Sequence, residues 1–266
     1  MNPPASTPPC HDCHAKCCRH YIVPVTGYDM WRICRDQRLS PEHFVVAGAQ
    51  PGEHTDGFLL KAGEKPNYLA LDKKGHFHRF QPCVFLVELA NGSGRCGIYG
   101  SRPGACRVYP MTLTNGVMGL HDGIVCNPGS WPEEELRRPH WRAVLTESYM
   151  EFDLYSEVVK RWNALIAHSP DRSFTLAEFL SYLMNVYAAL QTLEEATPSD
   201  EISLIKRTWP VPPRSGAHLD ELHLCHGDLP WLDYLIRARQ VIDRFYPHIP
   251  PQPVLVPMAS ERQHSS

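Results

Sequence analysis

The 266-residue chain reads as an α+β protein: an irregular, cysteine-rich, metal-bound domain with short β-hairpins, followed by a helical region. Three observations predict this. Cysteines crowd the first half, opening with Cys10, Cys13, Cys17 and Cys18 in the pattern C-x2-C-x3-C-C and continuing with Cys83, Cys96, Cys106 and Cys126. Short apolar runs separated by turn residues occupy the stretch from Tyr68 to Leu120. Beyond about residue 131 apolar residues recur at helical spacing instead. The expected division is therefore 1–130 for the cysteine-cluster domain and 131–266 for a helical region packed on it.

The elements follow in order. Residues 1–9 read as an arm limited by proline. Tyr21–Val25 is a short extended segment. Thr26 caps a helix over Gly27–Arg38, with Met30, Ile33 and Cys34 on one face. Ser40-Pro41 opens another short helix, because proline suits the first turn. Residues 51–66 form a loop. Tyr68–Leu71, His76–Phe80 and Val84–Leu89 are strand candidates. Asn91-Gly92-Ser93-Gly94 is a turn into Arg95–Tyr99. Asn115-Gly116 joins Met111–Thr114 to Val117–Leu120 as a hairpin. Pro132 with three glutamates makes an acidic first helical turn. A long amphipathic helix spans Trp141–His168. Thr175 and Glu178 form a capping box before the next helix. Leu229–Phe245 is the last helix.

Composition narrows the function classes. The apolar fraction of 43% is enough for a core, and a net charge of −3 argues against nucleic acid or an anionic membrane as partner. Charge is uneven: residues 1–130 carry 13 Lys+Arg against 10 Asp+Glu, and residues 131–266 carry 13 against 19. The acidic half suits either a solvated surface or a lysine-bearing protein partner. No run of about 18 apolar residues occurs, so no membrane span is expected. Residues 1–9 lack the basic and apolar regions of a secretory leader. The expectation is a cytoplasmic protein whose thiols stay reduced, and there a cysteine array reads as a metal site rather than a disulfide framework.

The spacing bears on the metal. Two residues between Cys10 and Cys13 let both thiolates reach one ion across a tight turn. Adjacent Cys17 and Cys18 are expected to turn apart, one towards a first centre and one towards a second. Cys83, Cys96, Cys106 and Cys126 would supply the remaining ligands. Tetrahedral thiolate sites suit zinc or iron–sulfur, and spacing leaves the two open. His11, His14 and His20 beside the knuckle read as exposed loop residues. Arg102 and Arg107 are candidate cofactor-binding residues that would offset the charge of a thiolate-bound centre, clamp a carboxylate, or pair structurally. Cys34 reads as core and Cys225 as incidental.

The knuckle, Asp29-x2-Arg32-Ile33, Cys83-Val84-Phe85-Leu86, Cys96-Gly97-Ile98-Tyr99 and the run from Arg102 to Pro110 together resemble the YkgJ-type cysteine-cluster proteins over roughly residues 10–126. That family is described as zinc- or iron-chelating and includes the flagellin lysine N-methylases. The resemblance implies a metal-binding protein and favours an iron–sulfur cluster, [4Fe–4S] in type, over zinc. It also brings an enzymatic alternative, a protein lysine N-methyltransferase. The one G-x-G-x-x-G, Gly92 to Gly97, does not open a helix after a strand, so it reads as a turn and not as a donor site.

Overall fold

A computed structural model describes residues 13–49, 57–75, 81–114, 117–126, 129–210 and 230–246. The expectations for Cys10, His11, Cys225, the strand at 76–80 and the Asn115-Gly116 turn lie outside the described residues.

The architecture is α+β. A short helix α1 (Lys16–His20) carries the adjacent cysteines. Helix α2 (Gly27–Gln37) starts where the sequence places it, because Thr26 and Asp29 form a reciprocal capping box. The helix expected after Ser40 is only a 3₁₀ turn, Pro41–His43. The chain leaves it early because Val45 enters strand β1 (Val45–Ala49), which pairs antiparallel with β2 (Asn67–Leu71) in the register Val45↔Leu71. The extended segment before α2 lies along β2, with Val25 N–H donating to the Leu69 carbonyl at 3.0 Å and Leu71 N–H to the Val23 carbonyl at 2.9 Å.

Two further ribbons are separate two-stranded sheets. Strands β3 (Leu86–Glu88) and β4 (Gly94–Cys96) pair Leu86 with Cys96. A 3₁₀ turn, Tyr99–Ser101, and helix α3 (Gly104–Val108) carry the chain past Cys106. Strands β5 (Met111–Thr114) and β6 (Val117–Leu120) match the expected hairpin residue for residue.

The described residues beyond 131 are mainly helical: α4 (Glu133–Leu136), α5 (Pro139–His168), α6 (Leu176–Ala196), α7 (Ser199–Thr208) and α8 (Pro230–Asp243). Thr175 and Glu178 close the expected capping box on α6. Helix α7 is an addition to the elements expected from sequence. One contiguous apolar core runs from Val23, Ile33, Phe44 and Leu71 to Val158, Leu183, Tyr187 and Leu235. Phe58 stacks on Phe179 with ring centroids 4.0 Å apart, and the Trp162 indole N–H donates to the Leu59 carbonyl at 2.7 Å. These contacts seat the strands on the helices and fix the base on which the thiols stand. Among the described residues, no helix is long and apolar enough to cross a membrane.

Candidate metal centre

Six of the predicted cysteines line one cavity of ≈ 270 Å³: Cys13, Cys17, Cys18, Cys83, Cys96 and Cys106. They arrive on four short pieces of chain: the knuckle with α1, the Cys83 turn, β4 and α3. Cys17 and Cys18 sit on α1, which begins after Ala15 in the left-handed region at φ 53°. Cys83 is tied to the same turn, its backbone N–H donating to the Cys18 carbonyl at 2.8 Å. Cys96 ends β4, beside the knuckle. Gly94 makes that approach feasible: a Cβ there would stand 2.6 Å from the Ala15 Cβ. The role of this G-x-G-x-x-G is thus close packing of backbone against the cysteine knuckle.

Cys106 is placed by charge. Asp29, 2% exposed, accepts from the backbone N–H of Gly104 at 2.8 Å and pairs with Arg32 at 2.7 Å. Arg32 donates in turn to Glu151 at 3.0 Å and to the Arg102 carbonyl at 3.3 Å. Gly104 lies so near α5 that a Cβ would meet the Ser148 hydroxyl at 2.9 Å. The Asp29-x2-Arg32 motif and the Arg102–Arg107 run are therefore one construction, which presses the Cys106 turn onto α5.

The two arginines have different roles. Arg102 lines the cavity, its guanidinium 3.8 Å from the Tyr99 ring centroid and its Nε donating to the Tyr99 carbonyl at 3.2 Å. Arg107 does not line it. Its guanidinium donates to both carboxylate oxygens of Glu151 at 2.7 Å and to Glu147 at 3.3 Å. Of the three readings open for Arg107, structural pairing is the one its contacts carry. Lys206 also bonds Glu147 at 3.0 Å, and Glu194 at 2.8 Å, so the network runs from the Cys106 turn through α5 to α7 and α6.

Two sequence expectations, for the Cys17–Cys18 pair and for Cys126, differ from the structure. Cys17 and Cys18 do not turn apart into two spaces: both line the same cavity. Cys126 is half-buried and stands outside the lining, its thiol contacting the Tyr109 hydroxyl at 3.7 Å. Tyr109 itself lines the cavity. His14 and His20 bond backbone carbonyls of Gly92 and Lys16. Cys34 lies in the apolar core, away from the cavity, and burial pushes its thiol up to about 11.

Electrostatics distinguish the lining thiols. The Cys18 thiol donates to Cys17, which holds Cys17 below the ordinary thiol range and Cys18 above it. Burial raises Cys83, Cys96 and Cys106. Arg102 acts in the opposite sense on Cys17 and Cys96. Cys17 therefore loses its proton more easily than Cys18, Cys83, Cys96 or Cys106, where a bound cation would have to displace it. Sequence reasoning missed His121, Tyr109 and Lys73. The first two line the cavity. Lys73, 3% exposed, donates through Nζ to the carbonyls of Tyr21 at 2.5 Å and Cys18 at 3.3 Å. Read in sequence, an Asp-Lys-Lys-Gly stretch looks like a solvated turn.

Among the described residues no group of three His, Cys, Asp or Glu side chains stands closed around a point as for a single ion. The thiols face one space from several sides. The donor set nevertheless fits a thiolate-bound metal: soft sulfur ligands, largely screened from water, on short elements pinned by backbone bonds and buried charge.

Residues 9–127 match the model of the CxxCxxCC family, described as a "putative zinc- or iron-chelating domain". The match takes in the cysteine-rich part of the chain and less than half of its length. It covers every cysteine that lines the cavity and stops before α4. No curated protein and no solved structure matches the chain.

Proposed function

We propose that the cysteine-rich part of the chain uses its thiol-lined cavity to hold an iron–sulfur cluster, with ligands drawn from Cys13, Cys17, Cys18, Cys83, Cys96 and Cys106. The observation that carries this reading is the arrival of six thiols at one cavity of ≈ 270 Å³. A tetrahedral zinc site takes four ligands with Zn–S near ~2.3 Å. Six thiols around a roomy space favour a polynuclear centre, for which [4Fe–4S] is the proposed type. When bound, such a cluster supplies one-electron chemistry. The chain's own residues set its conditions. Ile22, Val23, Leu71, Phe85 and Ile98 make the wall apolar and restrict water. Arg102 brings a positive charge to the same wall and offsets thiolate charge, which favours reduction.

Anaerobic reconstitution of the full chain with iron and sulfide tests the reading. The expected result is a broad absorbance band in the visible blue, with iron and sulfide in matching amounts. A colourless protein containing only zinc would replace the cluster by a zinc centre. Transfer of label from S-adenosylmethionine to flagellin lysine would replace a binding role by methyl transfer.

A further inference from the structure

Two cationic side chains are buried among the described residues, and they are treated differently. Arg161, 5% exposed, is paired with Asp243. Lys73, 3% exposed, has two neutral backbone carbonyls as its hydrogen-bond acceptors, those of Tyr21 and Cys18. The carboxylate beside it, Asp72, accepts the backbone N–H of Lys73 at 2.7 Å. A charge taken out of water is costly unless an opposite charge compensates it. Carbonyl dipoles answer the donors of the ammonium but not its net charge.

The compensating charge lies across the chain. Lys73 forms an antiparallel bridge with Cys83, whose own N–H shares the Cys18 carbonyl with the lysine ammonium. Burial lowers the Lys73 ammonium, and the nearby Cys83, Cys18, Cys106 and Cys17 act in the opposite sense. Lys73 is buried and does not line the cavity, its ammonium held on the backbone carbonyls of Cys18 and Tyr21. A cation fixed there would offset the negative charge of a thiolate-bound centre.

We propose that Lys73 is the buried counter-cation of the metal centre, a positioning residue that fixes the end of the Cys17–Cys18 turn through two carbonyls and stabilises the thiolate form through its charge. This rests on the metal-binding reading above and assigns a residue that touches no metal. A buried charge close to a cluster raises its reduction potential, because reduction adds negative charge in a medium that screens poorly. The same charge strengthens retention of any thiolate-bound ion.

The test compares full-length wild type with Lys73→Met, Lys73→Gln and Lys73→Arg after anaerobic reconstitution. Chelator competition reads metal affinity and spectroelectrochemistry reads the potential. Both neutral variants are expected to lose affinity about 10- to 100-fold, the usual range for outer residues of a metal site, and to shift the potential negative. Lys73→Gln keeps an N–H donor for the carbonyls, so a loss there reports charge. Lys73→Arg is expected to recover most of the loss. Wild-type affinity and potential in folded Lys73→Gln and Lys73→Met would overturn the assignment. Failure of all three variants to fold with metal supplied would make the lysine merely structural and also overturn it. A wild-type protein that holds neither iron–sulfur nor zinc would instead bring down the metal-binding reading, and this proposal with it.

Discussion

The two halves of the molecule reach order by different means. In the helical half, α5, α6 and α8 bury Val158, Leu183, Tyr187, Leu235 and Ile242 almost completely. Apolar area removed from water sustains that half. The cysteine half has three separate two-stranded ribbons, and a lone ribbon is marginal in water. It borrows stability instead: β1 and β2 lean on the shared core, the Cys106 turn hangs on Asp29 and Glu151, and the knuckle is held by backbone bonds to the Cys83 turn and to Gly94. The lesson is that the helical half is a foundation and the cysteine half a site mounted on it. Its ligands are positioned by polar contacts more than by packing.

Removing the metal should expose this difference most strongly. Structural thiolate sites contribute on the order of 10 kcal/mol to small domains. Chelation of the full chain is expected to abolish hydrogen-exchange protection around Cys17–Tyr21 and Cys83–Val108, while α5, α6 and α8 stay protected. Equal loss in both halves would erase the distinction. Cys13→Ser and Cys106→Ser should each lower bound metal and the melting temperature. Cys126→Ser should retain more metal than either, since its thiol stands behind Tyr109; a loss as large as that of Cys106→Ser would return Cys126 to the ligand set.

The next comparison sets buried charge against buried hydrocarbon. Burial and the nearby Asp29 carboxylate raise the Glu151 carboxyl, and Arg32 and Arg107 oppose them. Glu151→Ala leaves both guanidinium groups short of a partner, at a cost of about 3–5 kcal/mol. Leu235→Ala opens a cavity in the helical core at about 2–5 kcal/mol. Denaturant unfolding should show similar losses. Metal retention should separate them, falling in Glu151→Ala and holding in Leu235→Ala.

The capping boxes allow the same comparison at smaller scale. Thr26→Ala and Thr175→Ala should each cost about 1 kcal/mol by denaturant unfolding. Asp29 of the first box also accepts from Gly104, so Thr26→Ala should loosen the Cys106 turn and speed metal loss to a chelator. Thr175→Ala should leave that rate unchanged.

Local chemistry was legible in the sequence, and long-range pairing was not. Both capping boxes are written in four residues each, and the β5–β6 hairpin follows from Asn115-Gly116 between apolar runs. The convergence of thiols also follows from their number and spacing. Helix α7 was readable but missed: Pro198 precedes it, Asp200 and Glu201 lie in its first turn, and Lys206 and Arg207 in its last. By contrast, nothing local distinguishes Arg107, which pairs with α5, from Arg102, which faces the cavity. Their partners lie about 40 residues or more away in one case and three in the other. Lys73 was illegible for the same reason, since its burial is decided by Tyr21 and Cys18.

The smallest expected effect concerns pH, and the two halves should respond with opposite signs. Burial lifts the Asp153 carboxyl to about 6, although the Trp209 indole N–H donates to it at 2.7 Å. An unfolded aspartate titrates near ~3.9. Between about pH 4 and pH 6 the folded state therefore holds the proton more tightly than the unfolded state. Its contribution is present below that window and is lost as pH rises through it. Because Asp153 is partly exposed, the loss should be on the order of 1 kcal/mol. Asp153→Asn keeps an acceptor for Trp209 and should flatten this part of the stability profile. In the cysteine half, the raised thiols of Cys83, Cys96 and Cys106 make metal compete with protons, so retention should improve as pH rises. Unfolding curves of metal-loaded wild type and Asp153→Asn across pH 4 to 7, with bound metal measured in parallel, separate the two trends. A wild-type profile that overlays that of Asp153→Asn would remove the helical contribution. Metal loss at high rather than low pH would contradict thiolate ligation in the other half.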